Sequence, residues 1–155
     1  MTSPPEGSKP WPDYDFEITI RPPGMQGSTP RKALEDFLST LPGVGRNGPE
    51  GFVLDSPPGR WMEITPETRR WEGFIGTRVD SIDHTVNCVR LFFPGNKRGP
   101  EMERDYWRTA FAIADHLGWD AWDDTYSNCF LSPEMVERQL REHAGKSVKP
   151  WWKLW

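Results

Sequence analysis

The sequence predicts a domain of the α+β class, in which helices and antiparallel strands follow one another along the chain. Two segments carry this prediction. Residues 14–21 alternate apolar and polar side chains, which is typical of a strand with one covered face. Residues 100–117 place apolar side chains three and four positions apart, which is typical of an amphipathic helix. A chain of 155 residues is long enough to bury a core around such elements.

After the first strand, the sequence predicts a helix and then a hairpin. Thr29 and Pro30 suit the start of a helix. Four apolar side chains then follow at helical spacing: Leu34, Phe37, Leu38 and Leu41. Residues 44–50 are rich in glycine and predict a loop. Residues 52–55 and 60–64 predict two strands that a Ser-Pro-Pro-Gly turn joins.

The middle of the chain alternates between polar and apolar stretches. Residues 65–73 are polar and predict an irregular segment. Two strands follow, at about 74–81 and 85–93 with a turn near Asp83 and His84, unless the whole stretch is one long bulged strand. Both faces of the second strand are largely apolar, so we expect it at the centre of a sheet, covered on both sides.

The long helix at 100–117 has the clearest boundaries. Pro100 suits its first position, and Gly118 can adopt the left-handed conformation that closes a helix. Its apolar stripe has eight members: Met102, Tyr106, Trp107, Ala110, Phe111, Ile113, Ala114 and Leu117. A last helix is predicted from Ser132, its N-cap, to about His143. Its buried side chains would be Met135, Val136 and Leu140.

These elements follow the order strand, helix, strands, helix, strand, helix. Removing one hairpin and the last helix leaves βαββαβ, the order of a ferredoxin-like core. The sequence therefore predicts one ferredoxin-like α+β domain over residues 13–145, with helices on one sheet face and a second face that is at least partly polar. Residues 1–12 predict a mobile proline-rich tail, and residues 146–155 a tryptophan-rich tail.

Composition and charge narrow the classes of function. The net charge of −4 argues against direct nucleic-acid binding, because phosphate contacts need clustered Lys and Arg. No apolar run approaches the roughly 20 residues that span a membrane, and the first residues lack the apolar core of a signal peptide. We therefore expect a cytoplasmic protein without a membrane partner. Cys88 and Cys129 lie in apolar runs, which favours buried thiols over a disulfide framework.

Candidate catalytic and metal-binding residues lack the spacing that their chemistry requires. Asp80, Asp83 and His84 are close in sequence, but no HxxxH, HExxH or CxxC pattern is present. Cys88 lies in an apolar strand, where a thiolate is disfavoured. The glycine-rich stretch at 43–51 lacks the GK[ST] ending of a phosphate-binding loop. We expect no cofactor, no metal and no enzymatic activity, and a small carboxylate-using enzyme remains an alternative.

The segment between the last two helices combines carboxylates with large aromatic rings. Aromatic anchors with charged neighbours are typical of interface hot spots, and acidic groups steer a protein toward a basic partner. The predicted partner-binding residues are Asp115, Trp119, Asp120, Trp122, Asp123, Asp124 and Tyr126. Alternatively, the segment is an edge strand whose tryptophans face the core while its aspartates are solvated.

The run FAIADHLGWDAWDD is a helix that ends in Leu-Gly-Trp and leads into an acidic strand, and it follows the strand-like run CVRLFFPG. Over about residues 85–131, this arrangement resembles the small immunity proteins of bacterial polymorphic toxin systems. The resemblance implies a non-enzymatic cytoplasmic protein that binds and blocks one cognate toxin, with Asp120, Asp123 and Asp124 opposing a basic active site. The same features permit a phage-encoded inhibitor that blocks a nucleic-acid-binding host defence complex by acidic mimicry.

Overall fold

The computed structural model describes residues 12–79, 84–125 and 130–144. Within these ranges the chain contains three α-helices and eleven strands, and its sheets are antiparallel. The predicted α+β class is therefore confirmed. Most of both predicted tails lies outside the described residues, as do Asp80, Asp83, Tyr126 and Cys129.

The elements have the following bounds. The strands are β1 Phe16–Arg21, β2 Thr29–Pro30, β3 Val44–Asn47, β4 Gly51–Leu54, β5 Met62–Glu67, β6 Arg69–Glu72, β7 Ile75–Arg78, β8 Thr85–Val86, β9 Cys88–Phe93, β10 Asp120–Asp123 and β11 Phe130–Leu131. The helices are α1 Arg31–Leu38, α2 Pro100–Leu117 and α3 Pro133–Ala144, with two short 3₁₀ turns at Pro23–Met25 and Gly95–Lys97.

Seven strands form one sheet in the order β11-β10-β1-β9-β5-β4-β3. β9 lies between β1 and β5, as its two apolar faces predict, and β4 pairs with β5 as the predicted hairpin. β6 and β7 form a separate two-stranded sheet, and β2 and β8 form a second one. β9 is thus the middle strand of the sheet, with three strands on each side.

All three helices contribute to one core with the sheet. Ile18 and Ile20 of β1 pack in the same apolar cluster as Ile113 of α2, Leu34 of α1 and Leu140 of α3. α2 has the predicted bounds, because Gly118 adopts a left-handed conformation with φ of 68° and ends it. No helix in the described part of the chain is long and apolar enough to cross a membrane.

Several predicted boundaries were wrong where polar residues form strands. Residues 44–47, predicted as a loop, are the edge strand β3. The segment predicted as irregular at 65–73 contains the end of β5 and all of β6, and β7 pairs with β6 rather than with a core strand. β3, β6 and β7 carry polar side chains because they lie at the edge of the central sheet or outside it, so apolar periodicity gives no signal there.

Two helix predictions also need correction. Thr29 is not a side-chain cap of α1, because Thr29 and Pro30 instead pair with β8 and the helix begins at Arg31. Met135 is exposed on α3 rather than buried. Ser132 does cap α3, since its Oγ accepts a hydrogen bond from the Met135 N–H at 3.2 Å.

Candidate functional site

The sheet face opposite the helices carries polar and aromatic side chains, and we call it the outer face. Successive residues of a strand point to opposite faces, so Glu17, Thr19 and Arg21 of β1 lie here while Ile18 and Ile20 face the helices. The strand register places Trp122 and Arg90 on either side of Thr19. The outer face is therefore polar, as the alternation in β1 predicted, but Thr19 and Arg21 are buried rather than solvated.

Arg21 lies at the centre of the outer face and is only 2% exposed. Its Nη2 lies 2.6 Å from Asp124 Oδ1, and its Nε donates a hydrogen bond to Thr19 Oγ1 at 2.8 Å. Its guanidinium carbon lies 4.8 Å from the ring centroid of Trp71 and 4.7 Å from that of Trp122. The cation is thus packed against two indole rings while it forms charge-assisted hydrogen bonds.

A second arginine extends this arrangement into an ion network of Arg21, Glu67, Arg69 and Asp124. Arg69 Nε lies 2.9 Å from Glu67 Oε2, and its Nη1 lies 3.4 Å from Asp124 Oδ2. Asp124 also accepts a hydrogen bond from the Thr19 hydroxyl at 2.9 Å. Two cations and two anions therefore compensate one another in a region that little water reaches.

The β6–β7 hairpin lies across the outer face, and side chains outside the hairpin hold it there by hydrogen bonds to its backbone. Arg21 Nη1 donates to the Phe74 carbonyl at 2.6 Å. The Asn87 side chain accepts from the Arg69 N–H at 2.7 Å and donates to the Arg69 carbonyl at 2.9 Å. Gly76 packs so closely on the Trp71 ring that a Cβ at this position would collide with it. The tip of the hairpin is thus fixed relative to the sheet.

Apolar side chains are exposed at the hairpin tip and beside it. Phe74 is 50% exposed, Ile75 62% and Phe130 55%. The Phe130 ring centroid lies 4.5 Å from that of Trp122, which in turn packs on Arg21, the residue that binds the Phe74 carbonyl. We call Phe74, Ile75, Trp122 and Phe130 the aromatic strip. It is an apolar surface supported by a buried ion network.

A polar recess of about 230 Å³ lies next to the strip. Glu17 and Asp124 both line it, together with Arg21 and Arg69. Glu17 forms an ion pair with Arg90, and Asp124 pairs with the two arginines of the network. Both carboxylates in the recess therefore have arginine partners, whereas acid–base catalysis by two carboxylates requires that their environments differ.

The predicted partner-binding residues do not share one surface. Trp122 lies on the outer face with Asp120, two residues before it, and Asp124 is part of the ion network. Asp123 is only 8% exposed and lies opposite Ile18 on the helix side of the sheet. Trp122 of β10 and Asp124, which directly follows this strand, thus both contact Arg21 on the outer face, whereas the edge-strand alternative separated the tryptophans from the aspartates.

The remaining predicted residues lie near the end of α2. Asp115 is exposed in the last turn of this helix, and Trp119 is half-buried against the core. Tyr126 lies outside the described residues. The structure therefore brings together Asp120, Trp122 and Asp124 and separates them from Asp115 and Asp123.

The ion network was missed as a site, because its members are far apart in sequence. Arg21 and Asp124 are 103 positions apart, and Arg69 and Asp124 are 55 apart. A signal was present, since the alternation in β1 placed Thr19 and Arg21 together on the face away from the core. The segment around Trp71 also combines arginine with tryptophan, but its place over Arg21 depends on the tertiary fold.

Nucleophilic and metal chemistry receive no support from the described residues. Burial raises the pKa of the Cys88 thiol to about 12, so this cysteine is protonated at neutral pH and unreactive as a nucleophile. Among the residues that the structure describes, no three His, Cys, Asp or Glu side chains cluster closely enough to hold a metal ion. No family model matches the chain, and no curated protein matches it.

Proposed function

We propose that the chain is a cytoplasmic immunity-type protein that binds a cognate bacterial toxin and blocks it, with no catalytic activity of its own. The aromatic strip carries this proposal. Exposed aromatic and aliphatic side chains grouped around a buried arginine have the composition of an interface hot spot, whereas isolated exposed apolar residues are ordinary. The rigid attachment of the hairpin supports it further, because a pre-ordered surface loses little entropy on binding.

The proposed interface has an apolar centre and an acidic margin. Asp120 supplies the negative charge at this margin, because it lies on the same strand face as Trp122. Asp123 is buried, and the side chain of Asp124 is only 9% exposed and is compensated by the arginines of the ion network, so neither presents an exposed negative charge. Asp115 lies on α2, on the other side of the sheet, and is not part of the proposed interface.

This charge distribution favours toxin binding over acidic mimicry of nucleic acid. A mimic presents carboxylates to the phosphate-binding groups of its target, but Glu17, Glu67 and Asp124 are each paired with an arginine of the same chain. We therefore expect an interface whose affinity depends mainly on apolar burial and falls only modestly as salt rises.

We also propose that the core of the fold is ferredoxin-like. The strands β10-β1-β9-β5 are neighbours in that order, and α1 and α2 occupy the two connections in which a βαββαβ core has helices. β3 and β4 then extend the sheet beyond β5, and α3 follows the core as an addition. This arrangement leaves the outer face without a covering helix, and a partner can reach it there.

Capture of the partner tests the proposed function. The tagged full-length chain is incubated with lysate of its native source, and retained proteins are identified by mass spectrometry. We expect one stoichiometric partner that arrests growth when it is expressed alone and is tolerated when it is co-expressed with this chain. A partner that is harmless when expressed alone, or recovery of the chain by itself, would contradict the toxin-neutralising role.

A further inference from the structure

A second cavity, of about 390 Å³, lies on the helix side of the sheet. It is formed where α2 meets the segment after α1 and the end of β4, far from the aromatic strip in the fold. Its walls include the apolar side chains of Leu41, Leu54, Pro57 and Ala112. A largely apolar cavity of roughly 300–1,000 Å³ is of the size that holds small molecules in proteins.

The floor of this cleft is set by backbone packing. Gly43 has φ of 78°, and a Cβ at this position would lie 2.6 Å from the Ser56 carbonyl oxygen and 3.0 Å from Leu54 Cδ1. The Gly43 carbonyl accepts a hydrogen bond from the Asp55 N–H at 3.3 Å. The segment after α1 therefore lies directly against the end of β4, and only glycine permits this approach. The cleft is part of the folded structure.

Charged groups lie at one side of the cleft. Asp105 Oδ2 accepts a hydrogen bond from Arg60 Nε at 2.8 Å, and Asp105 Oδ1 lies 3.5 Å from Arg108 Nη1. Both Asp105 and Arg108 line the cleft, and the Arg108 side chain is 49% exposed. Two guanidinium groups thus share one carboxylate, which leaves one positive charge in excess, and Arg108 is the less engaged of the two.

We propose that this cleft binds a small amphipathic carboxylate. The apolar body of the ligand lies against Leu41, Leu54 and Ala112, and its carboxylate forms an ion pair with Arg108. An ammonium group is disfavoured at the same place because of the excess positive charge. The proposal is independent of toxin binding, since the cleft and the aromatic strip lie on opposite sides of the sheet.

An NMR titration of the full-length chain tests the proposal with simple probes. Butanoate, hexanoate and octanoate are added to ¹⁵N-labelled protein, with hexan-1-ol and hexylamine as probes that lack the negative charge. We expect saturable shifts at the backbone amides around Gly43, Leu54 and Ala112. Affinity should rise about fourfold for each added methylene, and hexanoate should bind more tightly than hexylamine.

Arg108→Gln separates the ion pair from the apolar contacts, and Arg138→Gln on the exposed surface of α3 is the matched control. We expect Arg108→Gln to lower the affinity for hexanoate about tenfold and to leave the affinity for hexan-1-ol unchanged. The control variant should alter neither affinity. The proposal is overturned by equal affinity for hexanoate and hexylamine, by equal behaviour of the two variants, or by shifts that occur only on the outer face.

Discussion

The two faces of the central sheet bury their side chains by different means. On the helix side, β1 buries Ile18 and Ile20 among apolar side chains of the three helices. On the outer face, the same strand buries Thr19 and Arg21, and a guanidinium packed between indole rings takes the place of an apolar core. We therefore expect the loss of a methylene from the apolar face to cost less stability than the loss of one charged partner from the outer face.

Among truncations of single side chains, the largest loss of stability should come from removing one charge of the ion network. Arg21→Ala leaves Asp124 with one arginine fewer, and loss of one partner of a buried pair typically costs about 3–5 kcal/mol. Urea unfolding should therefore show a markedly lower midpoint for Arg21→Ala. The exposed Arg70→Ala is the control and should change the free energy of unfolding by less than about 0.5 kcal/mol. Equal midpoints for the two variants would show that the network does not hold the outer face together.

High pH should destabilise the outer face through Cys88. Its pKa is raised by burial from 9.0 to about 12, so the unfolded chain releases this proton at a lower pH than the folded chain. The protonated thiol contributes fully to the free energy of unfolding below pH 9. This contribution is lost as pH rises toward 12, by up to about 1.4 kcal/mol per pH unit. The difference in unfolding free energy between the native chain and Cys88→Ala should narrow over this interval. A constant difference between pH 8 and pH 11 would contradict the prediction.

A smaller effect is expected from a matched change on the helix side. Ile18→Val removes one methylene from the apolar core, which typically costs about 0.5–1.5 kcal/mol. The same urea series measures it against Arg21→Ala, three positions along the same strand. If Ile18→Val lowers the free energy of unfolding more than Arg21→Ala does, the apolar face rather than the outer face is the more sensitive of the two.

The smallest effect on stability should follow from reversing the charge of Asp120. This residue lies at the margin of the outer face and is partly exposed, so Asp120→Lys should change the unfolding free energy by less than about 0.5 kcal/mol. The same reversal at Asp124 should unfold the chain, because it would leave three cations and one anion, Glu67, in the ion network. Circular dichroism of the two variants distinguishes them, and a folded Asp124→Lys would show that this carboxylate is not needed.

The sequence predicted the elements whose side chains follow a local period. α2 was predicted with both its ends, because its apolar stripe and Gly118 are adjacent features. β9 was placed correctly at the centre of the sheet, since both its faces are apolar. β3 and β6 were missed because they are short and largely polar, so that apolar periodicity gives no signal, even though each pairs with the next strand along the chain.

The candidate site was only partly accessible from sequence. Trp122 and Asp120 were predicted as neighbours on an interaction surface, and the strand places them on one face. Phe130 lies eight positions after Trp122 and pairs with it on the neighbouring strand, whereas Phe74 joins them only through the fold, by its carbonyl contact with Arg21. Local pattern identifies an aromatic segment, but it does not show which rings are left exposed after packing.

The claim that the aromatic strip is the interface is tested most directly by the affinity for the captured partner. Isothermal titration calorimetry compares the native chain with the double variant Phe74→Ser/Ile75→Ser and with Met135→Ser, which alters an exposed apolar residue on α3. Loss of hot-spot residues should weaken binding by about 100-fold or more in the double variant, and Met135→Ser should bind like the native chain. Native affinity in a folded double variant would contradict the account and place the interface elsewhere.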